Sequence, residues 1–433
     1  MSTLPISPPE SRRLFALLAP FPQAALAVSG GPDSLALMLL AARWCEARED
    51  GPKLSVLTVD HGLRPSAREE AKQVGRMAAS LGLPHAILTW EKAELPSASL
   101  QARARTARYN LMAGYCHARG IPALVTAHTR DDQAETFLMR LKRGSGLDGL
   151  AAIPEQGAWA GISILRPLLD VPKARLVATL DAAGLPYVTD PSNADPRFER
   201  ARMRARASGL EAFGLSPEAL ALSARRLRRA REALDEAARD FLARHGAMSA
   251  AGYATLDHNA LAAVPQEIAL RALAHVIAVV GGGEAPVQLA KLEALLAALE
   301  ANPDKAHTLG RCRLQPVSGR LGLFREVRGG GLPVARLRPG ERALWDNRFT
   351  IELGADEPDS VTVKALGDAG FQALKERSDA IAALPRLAGR TLPSCWRGEL
   401  LLGLPQLALP GSRAPFVPFC RARFVSAEPA ELR

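Results

Sequence analysis

The first 190 residues alternate short apolar runs with longer stretches of mixed polarity. Ala24–Val28, Leu54–Val59, His85–Thr89 and Ala123–Ala127 have the length and composition of buried strands, and Ile162–Leu165 is a fifth such run. Between them, Ser34–Arg48, Ser66–Leu81, Ser99–Arg119 and Arg130–Lys142 carry helical patterns. This alternation predicts an α/β fold: a doubly wound, mostly parallel sheet with helices on both faces. Ligands of such sheets bind beyond the carboxyl ends of the strands. Polar segments sit at those ends. Ser29–Ser34 follows the first strand, Asp60-His61-Gly62 the second and His128–Asp132 the fourth.

Beyond residue 190 the pattern changes. Arg197, Arg200, Arg202, Arg204 and Arg206 lie close together, and Arg225, Arg226, Arg228, Arg229 and Arg231 form a second cluster on a predicted helix. Alanine-rich helical patterns continue to about Leu299, and Thr308–Phe324 reads as two small strands. Gly329-Gly330-Gly331 reads as a linker. The last hundred residues hold many prolines and short β-like runs such as Phe349–Leu353 and Leu400–Leu402. The expected organisation is a catalytic domain over 1–209, a mainly helical domain over 210–328 and a small α+β domain over 329–433. No internal repeat is evident.

At 433 residues the chain exceeds one ordinary core. A hydrophobic content of 48% with 23% charged residues is ordinary for a soluble protein. The net charge of +10 adds a preference for a polyanionic partner. A genome that favours Arg and Ala explains the residue usage but not the excess of positive charge. Cys45, Cys116, Cys312, Cys395 and Cys420 are widely spaced and form no CxxC pair, so reduced thiols and no zinc site are expected. The opening MSTLPISPPESRRLF lacks the apolar core of a secretory leader, and no apolar run approaches about 18 residues. A cytoplasmic protein with no membrane partner is the expectation. The pattern leaves the oligomeric state open and is compatible with a homodimer.

The candidate chemistry begins at Ser29-Gly30-Gly31-Pro32-Asp33-Ser34, a glycine-rich turn from strand to helix N-terminus. Such a turn aims backbone N–H groups and the positive end of a helix dipole at one spot suited to phosphate. It lacks the Gly-Lys-Ser/Thr ending of a Walker A loop and is not GxGxxG. It resembles the PP-loop of the ATP pyrophosphatases, which cleave ATP between the α and β phosphates. Asp60 can face a ribose or base held by that loop, or be a polar strand end. In Ala127–Thr136, the neighbouring carboxylates Asp131 and Asp132 repel unless a cation such as Mg²⁺ lies between them and phosphates; an Asp helix cap is the plainer reading and is compatible with it. Arg143–Leu150 is a glycine loop beside Lys142 and Arg143, and on its residues alone a helix stop is favoured over a substrate loop. Asp190 and Asp195 could hold a cationic amine, and Arg200 and Arg204, one helical turn apart, a phosphate. An Asx turn entering a basic helix is the alternative.

Taken in order, SGGPDS, VDHGLR, ARTARY (Ala104–Tyr109), AHTRDDQAET, RGSGLDGL, RPLL (Arg166–Leu169) and DPSNADPRFERARMR resemble the tRNA(Ile)-lysidine synthases over roughly Ala24 to Arg206. The resemblance implies adenylation of the wobble cytidine of a CAU-anticodon tRNA(Ile) with ATP, then attack by the ε-amine of free L-lysine. It implies that Ser29, Gly30, Gly31, Pro32, Asp33 and Ser34 hold ATP phosphates. It places Asp33, His128, Asp131 and Asp132 at the catalytic centre, with Asp33 and Asp132 toward Mg²⁺. Asp60, Arg105 and Arg108 become ATP or tRNA contacts, and Arg143, Asp190, Asn193, Asp195, Arg200 and Arg204 candidates for lysine or tRNA. One departure is Ala201, where the family often has Asn. The family also carries a helical middle domain and a short C-terminal domain. Here the last hundred residues would grip the acceptor stem or order the catalytic domain, and Arg225–Arg231 would meet the tRNA backbone.

Three other classes share parts of the pattern. A PP-loop tRNA 2-thiolation enzyme needs a sulfur relay or iron–sulfur cluster, for which paired cysteines are missing. GMP-synthetase-like or asparagine-synthetase-like amidation needs a glutaminase site that is not evident. A non-catalytic RNA-binding protein explains the basic patches but not acidic residues at three strand ends around a phosphate loop.

Overall fold

The computed structural model describes residues 4–60, 67–90, 100–187, 199–204, 207–283, 285–407 and 416–425. The chain divides into two compact units, 1–231 and 232–432. In the first, α1 (Pro8–Phe15) precedes β1 (Gln23–Ala27), α2 (Pro32–Glu46), β2 (Lys53–Asp60), α3 (Ala67–Ser80), β3 (His85–Thr89), α4 (Leu100–Ala118), β4 (Ala123–Val125) and α5 (Arg130–Lys142). Then come α6 (Leu147–Leu150), β5 (Gln156–Trp159), β6 (Ile162–Leu165), α7 (Lys173–Ala182), α8 (Glu199–Arg204), α9 (Ala207–Ala212) and α10 (Pro217–His245).

Among the described residues the first sheet has six strands in the order β3-β2-β1-β4-β6-β5. All pairs are parallel except the β5–β6 hairpin, turned by Ala160 and Gly161 at positive φ. The four expected βα units are present, with ends displaced by one or two residues. The hairpin strand β5 was not expected, because Gln156-Gly157-Ala158-Trp159 is mostly exposed and lacks an apolar run.

Side chains alternate across the sheet and build two cores. Leu26, Val56 and Val125 join α2, α3 and α7 on one face, while Ala25, Leu57 and Leu124 join Tyr109, Met112 and Cys116 of α4 on the other. Helix α2 is buried nearly all round, from Ser34 to Ala41, which explains its apolar composition on every side. The first turns of α10 pack Leu220 and Ala224 against Ala134 and Phe137 of α5.

The second unit begins within α10. It contains β7 (Gly246–Met248), β8 (Ala254–Leu256), α11 (His258–Ala263), α12 (Gln266–Gly281), α13 (Leu289–Ala301), β9 (His307–Leu309), β10 (Cys312–Val317) and β11 (Arg320–Arg325). Among the described residues these five strands form an antiparallel sheet, β7-β8-β11-β10-β9, under α12. The two strands expected in Thr308–Phe324 are three, and β7 and β8 join them. Three-residue strands carry no readable alternation, so they escape a periodicity argument. A further sheet of seven strands follows: β12 (Ala335–Leu337), β13 (Arg342–Trp345), β14 (Phe349–Leu353), β15 (Val361–Ala365), β16 (Pro393–Arg397), β17 (Leu400–Gln406) and β18 (Phe416–Phe424). Among the described residues, no helix is long and apolar enough to cross a membrane.

Candidate active site

Strand β1 has β2 on one side and β4 on the other, so the segments after β1 and β4 flank the point where the winding of the sheet reverses. Open α/β sheets bind ligands at that point. After β1, Gly30 turns the chain with φ +89°, a conformation that a side chain disfavours. Gly31 caps α2, and Pro32 takes its first position, where a missing N–H removes no bond. The Ser34 hydroxyl ties the loop. It donates to the Gly31 carbonyl at 2.9 Å, accepts from the Ser29 N–H at 3.1 Å and lies 3.3 Å from the Ser29 hydroxyl. The loop is thus preformed around the first turn of α2, whose N–H groups have no intrahelical acceptors and sit at the positive end of the dipole. This geometry suits an anion.

Asp33 stands in that first turn. Its side chain is 26% exposed, with Oδ2 3.4 Å from Lys173 Nζ. Its Oδ1 is buried and has no hydrogen-bond partner. Burial raises the Asp33 pKa above the ordinary carboxylate range; Lys173 opposes the rise, and Asp132 and Asp131 add to it. An acid whose folded pKa lies above its unfolded value holds its proton more tightly when folded. Its contribution to stability is therefore greatest at low pH and falls as pH rises through the folded pKa. At neutral pH the Asp33 charge works against the fold. Asp33→Asn is expected to raise the thermal midpoint of the ligand-free protein by about 2–4 °C, on the order of 1 kcal/mol for a unit this size. Calorimetry at pH 7 checks this, and a lowered midpoint contradicts it.

After β4, Thr129 caps α5 and Asp132 closes a capping box. The Thr129 N–H donates to Asp132 Oδ2 at 2.9 Å and its hydroxyl to the same oxygen at 3.0 Å. Asp131 Oδ2 accepts the Lys173 backbone N–H at 2.9 Å. Lys173, at the start of α7, therefore touches both acidic segments. The His128 ring is held at Nδ1 by the Thr126 hydroxyl at 2.9 Å. Asp60 closes β2, half-buried, on the strand beside β1. Arg105 and Arg108 are exposed in the N-terminal half of α4, Arg105 nearer its start. That end of a crossover helix lies at the carboxyl edge of a parallel sheet. The Arg105 guanidinium sits 5.3 Å over the Tyr109 ring. Arg166, of the RPLL segment, is buried and donates to the Pro154 carbonyl at 2.9 Å.

Arg204 of α8 forms a fork on Glu135 of α5, from Nε to Oε1 and from Nη2 to Oε2 at 3.2 Å. Burial works against its charge, but Glu135, with Asp132 and Asp33 farther off, outweighs burial and raises its pKa. Arg143 reaches Glu199 at 2.7 Å on an exposed face. Arg200 lies in α8, with its side chain outside the described residues. Asp190, Asn193 and Asp195 also lie outside them.

The structure thus brings Ser29–Ser34, Asp131 and Asp132 together at the switch point. It adds Lys173 and Glu135, which the sequence reading did not single out. Lys173 follows RPLL by only four residues, so its position after β6 was a usable signal. Glu135 lies inside a quoted motif, but its partner is 69 residues away, and nothing local announces the pair.

The carboxylates of Asp33 and Asp132 are hard oxygen donors, and the buried, unpartnered Oδ1 of Asp33 is the kind of atom that a hard divalent cation satisfies. Among the described residues no group of three or more His, Cys, Asp or Glu gathers as a metal cage. Mg²⁺ beside phosphates typically takes only one or two carboxylates, so the residues present fit it. The thiols behave differently. All five are free, and burial pushes Cys45 and Cys116 up to about 11 and Cys312 up to about 12, away from the thiolate that sulfur transfer needs.

Residues 9–208 match the family model of a PP-loop domain. The tRNA(Ile)-lysidine synthase of Bradyrhizobium sp. strain BTAi1 is 49% identical over 306 residues, covering 69% of this chain and 85% of that protein. That of Rhodopseudomonas palustris is 50% identical over 68% of this chain and 85% of its own length. That of Ruegeria pomeroyi is 38% identical over 89% of this chain and 88% of its own. Identity at this level extends well past the PP-loop domain, and with the phosphate loop and acidic segments at one switch point it leads to one assignment: the chain belongs to the tRNA(Ile)-lysidine synthase family.

Proposed function

We propose that this protein ligates free L-lysine to C2 of the wobble cytidine in a CAU-anticodon tRNA(Ile), converting ATP to AMP and pyrophosphate. The observation that carries the reading is the buried, unpartnered Oδ1 of Asp33 at the mouth of a preformed anion loop. In the first step cytidine O2 attacks the α-phosphorus of ATP; the new O–P bond forms as the bond to pyrophosphate breaks. The Ser29–Ser34 loop holds the phosphates by its N–H groups, and Lys173 offsets their charge. Asp33 and Asp132 would hold Mg²⁺, which supplies charge neutralisation for the departing pyrophosphate. In the second step the lysine ε-amine, having lost a proton, bonds to C2 and the C2–O2 bond breaks, releasing AMP. A carboxylate beside the amine would take up such a proton. Arg204, anchored on Glu135, presents a cation to this centre. Asp190 and Asp195 suit the lysine ammonium. The direct test is product analysis: AMP and pyrophosphate, not ADP and phosphate, must form only when the CAU-anticodon RNA is present.

Residues 1–209 carry the chemistry in this reading, and 210–328 grip the tRNA backbone. Arg226 and Arg229 are exposed on α10. Replacing either with Gln is expected to weaken tRNA binding and to reduce the slope of log K against log salt by about 1. A salt series of binding measurements checks this, and an unchanged slope contradicts a phosphate contact.

A further inference from the structure

Phe213 is 86% exposed, and among the described residues it is the one aromatic in the set of large exposed apolar side chains. It is not on a loose tail. The Phe213 N–H donates to the Leu210 carbonyl at 3.1 Å, Gly214 to Glu211 at 2.9 Å and Leu215 to Leu210 at 3.0 Å, with Gly214 at φ +78°. This tight turn ends α9 and fixes where the ring projects. Ser216 then caps α10 through the Ala219 N–H at 3.2 Å.

The turn also has a fixed address. Glu218, in the first turn of α10, lies 3.5 Å from Arg130, the first residue of α5. Asp131 and Asp132 follow directly. The chain from Phe213 to Glu218 spans at most about 18 Å even when extended. The exposed ring is therefore tied by a short, turned segment to the helix start that meets Arg130, and it precedes a helix whose Arg226 and Arg229 face solvent.

We propose that Phe213 is a stacking platform for an unpaired base of the tRNA anticodon loop, helping to seat the wobble cytidine at the site. The inference rests on the ligase reading above and adds a residue and a mode of recognition to it. Sequence-specific RNA recognition favours single-stranded loops, whose splayed bases stack on aromatic rings. A single exposed ring ahead of a helix with solvent-facing cations suits a base beside phosphates. A docking protein would require a broader apolar patch, and the neighbouring apolar side chain, Leu215, is 40% exposed. The +10 net charge also favours the polyanion.

The test compares Phe213→Ala, Phe213→Leu and Phe213→Trp with the unmodified chain in lysidine formation on a CAU-anticodon transcript. The Ala and Leu variants are expected to raise KM for tRNA about 10-fold, the size of one lost base stack, with KM for ATP unchanged. Phe213→Trp is expected to stay within about twofold of the unmodified chain. Its added indole emission is expected to be quenched by the transcript. A Leu variant that matches the unmodified chain overturns stacking, as does an unaffected Ala variant. Absence of lysidine formation by the unmodified chain overturns the ligase reading alone. The emission titration needs no turnover and then decides the stacking by itself, with no quench overturning it.

Discussion

Asp33→Ala is expected to lower kcat for lysidine formation by about 10³-fold or more, the scale seen when a preorganised electrostatic group is removed from a transition state. The substitution takes away a half-buried carboxylate whose Oδ1 is buried and unsatisfied and that faces Lys173, Asp131 and Asp132. Nothing else in the Ser29–Ser34 loop carries a charge. Binding of tRNA, assigned in this proposal to dispersed cations, is expected to change little. The fold is not the cause of the loss, since Asp33→Asn is expected to stabilise the ligand-free protein. Tight function against weak stability at one position is the usual sign of a site shaped for a ligand. A kcat within tenfold of the unmodified chain would remove Asp33 from the chemistry.

The second large effect lies in the second unit. Asp346 is 2% exposed and accepts from two guanidinium groups, Arg348 Nε at 2.7 Å and Arg325 Nη2 at 2.8 Å. Arg348 has no exposed surface, and its remaining donors go to the Gly252 and Thr391 carbonyls at 3.3 and 3.2 Å. Burial pulls its pKa down to about 10 against the pull of Asp346, so it remains charged at neutral pH. Arg325 belongs to the five-stranded sheet, and Asp346 sits in the β13–β14 turn of the seven-stranded one, so the network joins two sheets of one unit. Asp346→Ala leaves two buried cations without a counter-ion and is expected to cost about 3–5 kcal/mol. Arg348→Met is expected to cost less, because Asp346 keeps Arg325. The neighbouring, buried Trp345 reports the unfolding by fluorescence in urea. A loss below about 1 kcal/mol for Asp346→Ala, or the reverse order of the two variants, would contradict the account.

The βα units and the glycine-rich turn after β1 were legible because each is local. Ala24–Val28 is apolar on both faces since helices cover both, and Ser29–Ser34 announces its turn through two glycines and a proline. A capped helix start was legible at α5 too, but the cap is Thr129 rather than the expected Asp, and Asp132 closes the capping box three residues on. The pairs that join distant segments were not legible. Lys173 with Asp33, Arg204 with Glu135 and Asp346 with Arg325 are set by how elements pack, and a charge on a sequence does not reveal its partner. The short strands β7, β8 and β9 were hidden for another reason. They take their stability from neighbours in the sheet, and three residues cannot display a period of two. The exposure of Phe213 was likewise invisible, since an isolated Phe beside apolar residues reads as core.

The most direct measurement is incorporation of radiolabelled lysine into a CAU-anticodon tRNA(Ile) transcript with ATP and Mg²⁺, beside Asp33→Ala. The account predicts labelling that requires ATP and the CAU anticodon and is lost in the variant. A folded, tRNA-binding protein that leaves the transcript unlabelled, or an Asp33→Ala protein that labels it as the unmodified chain does, would contradict it.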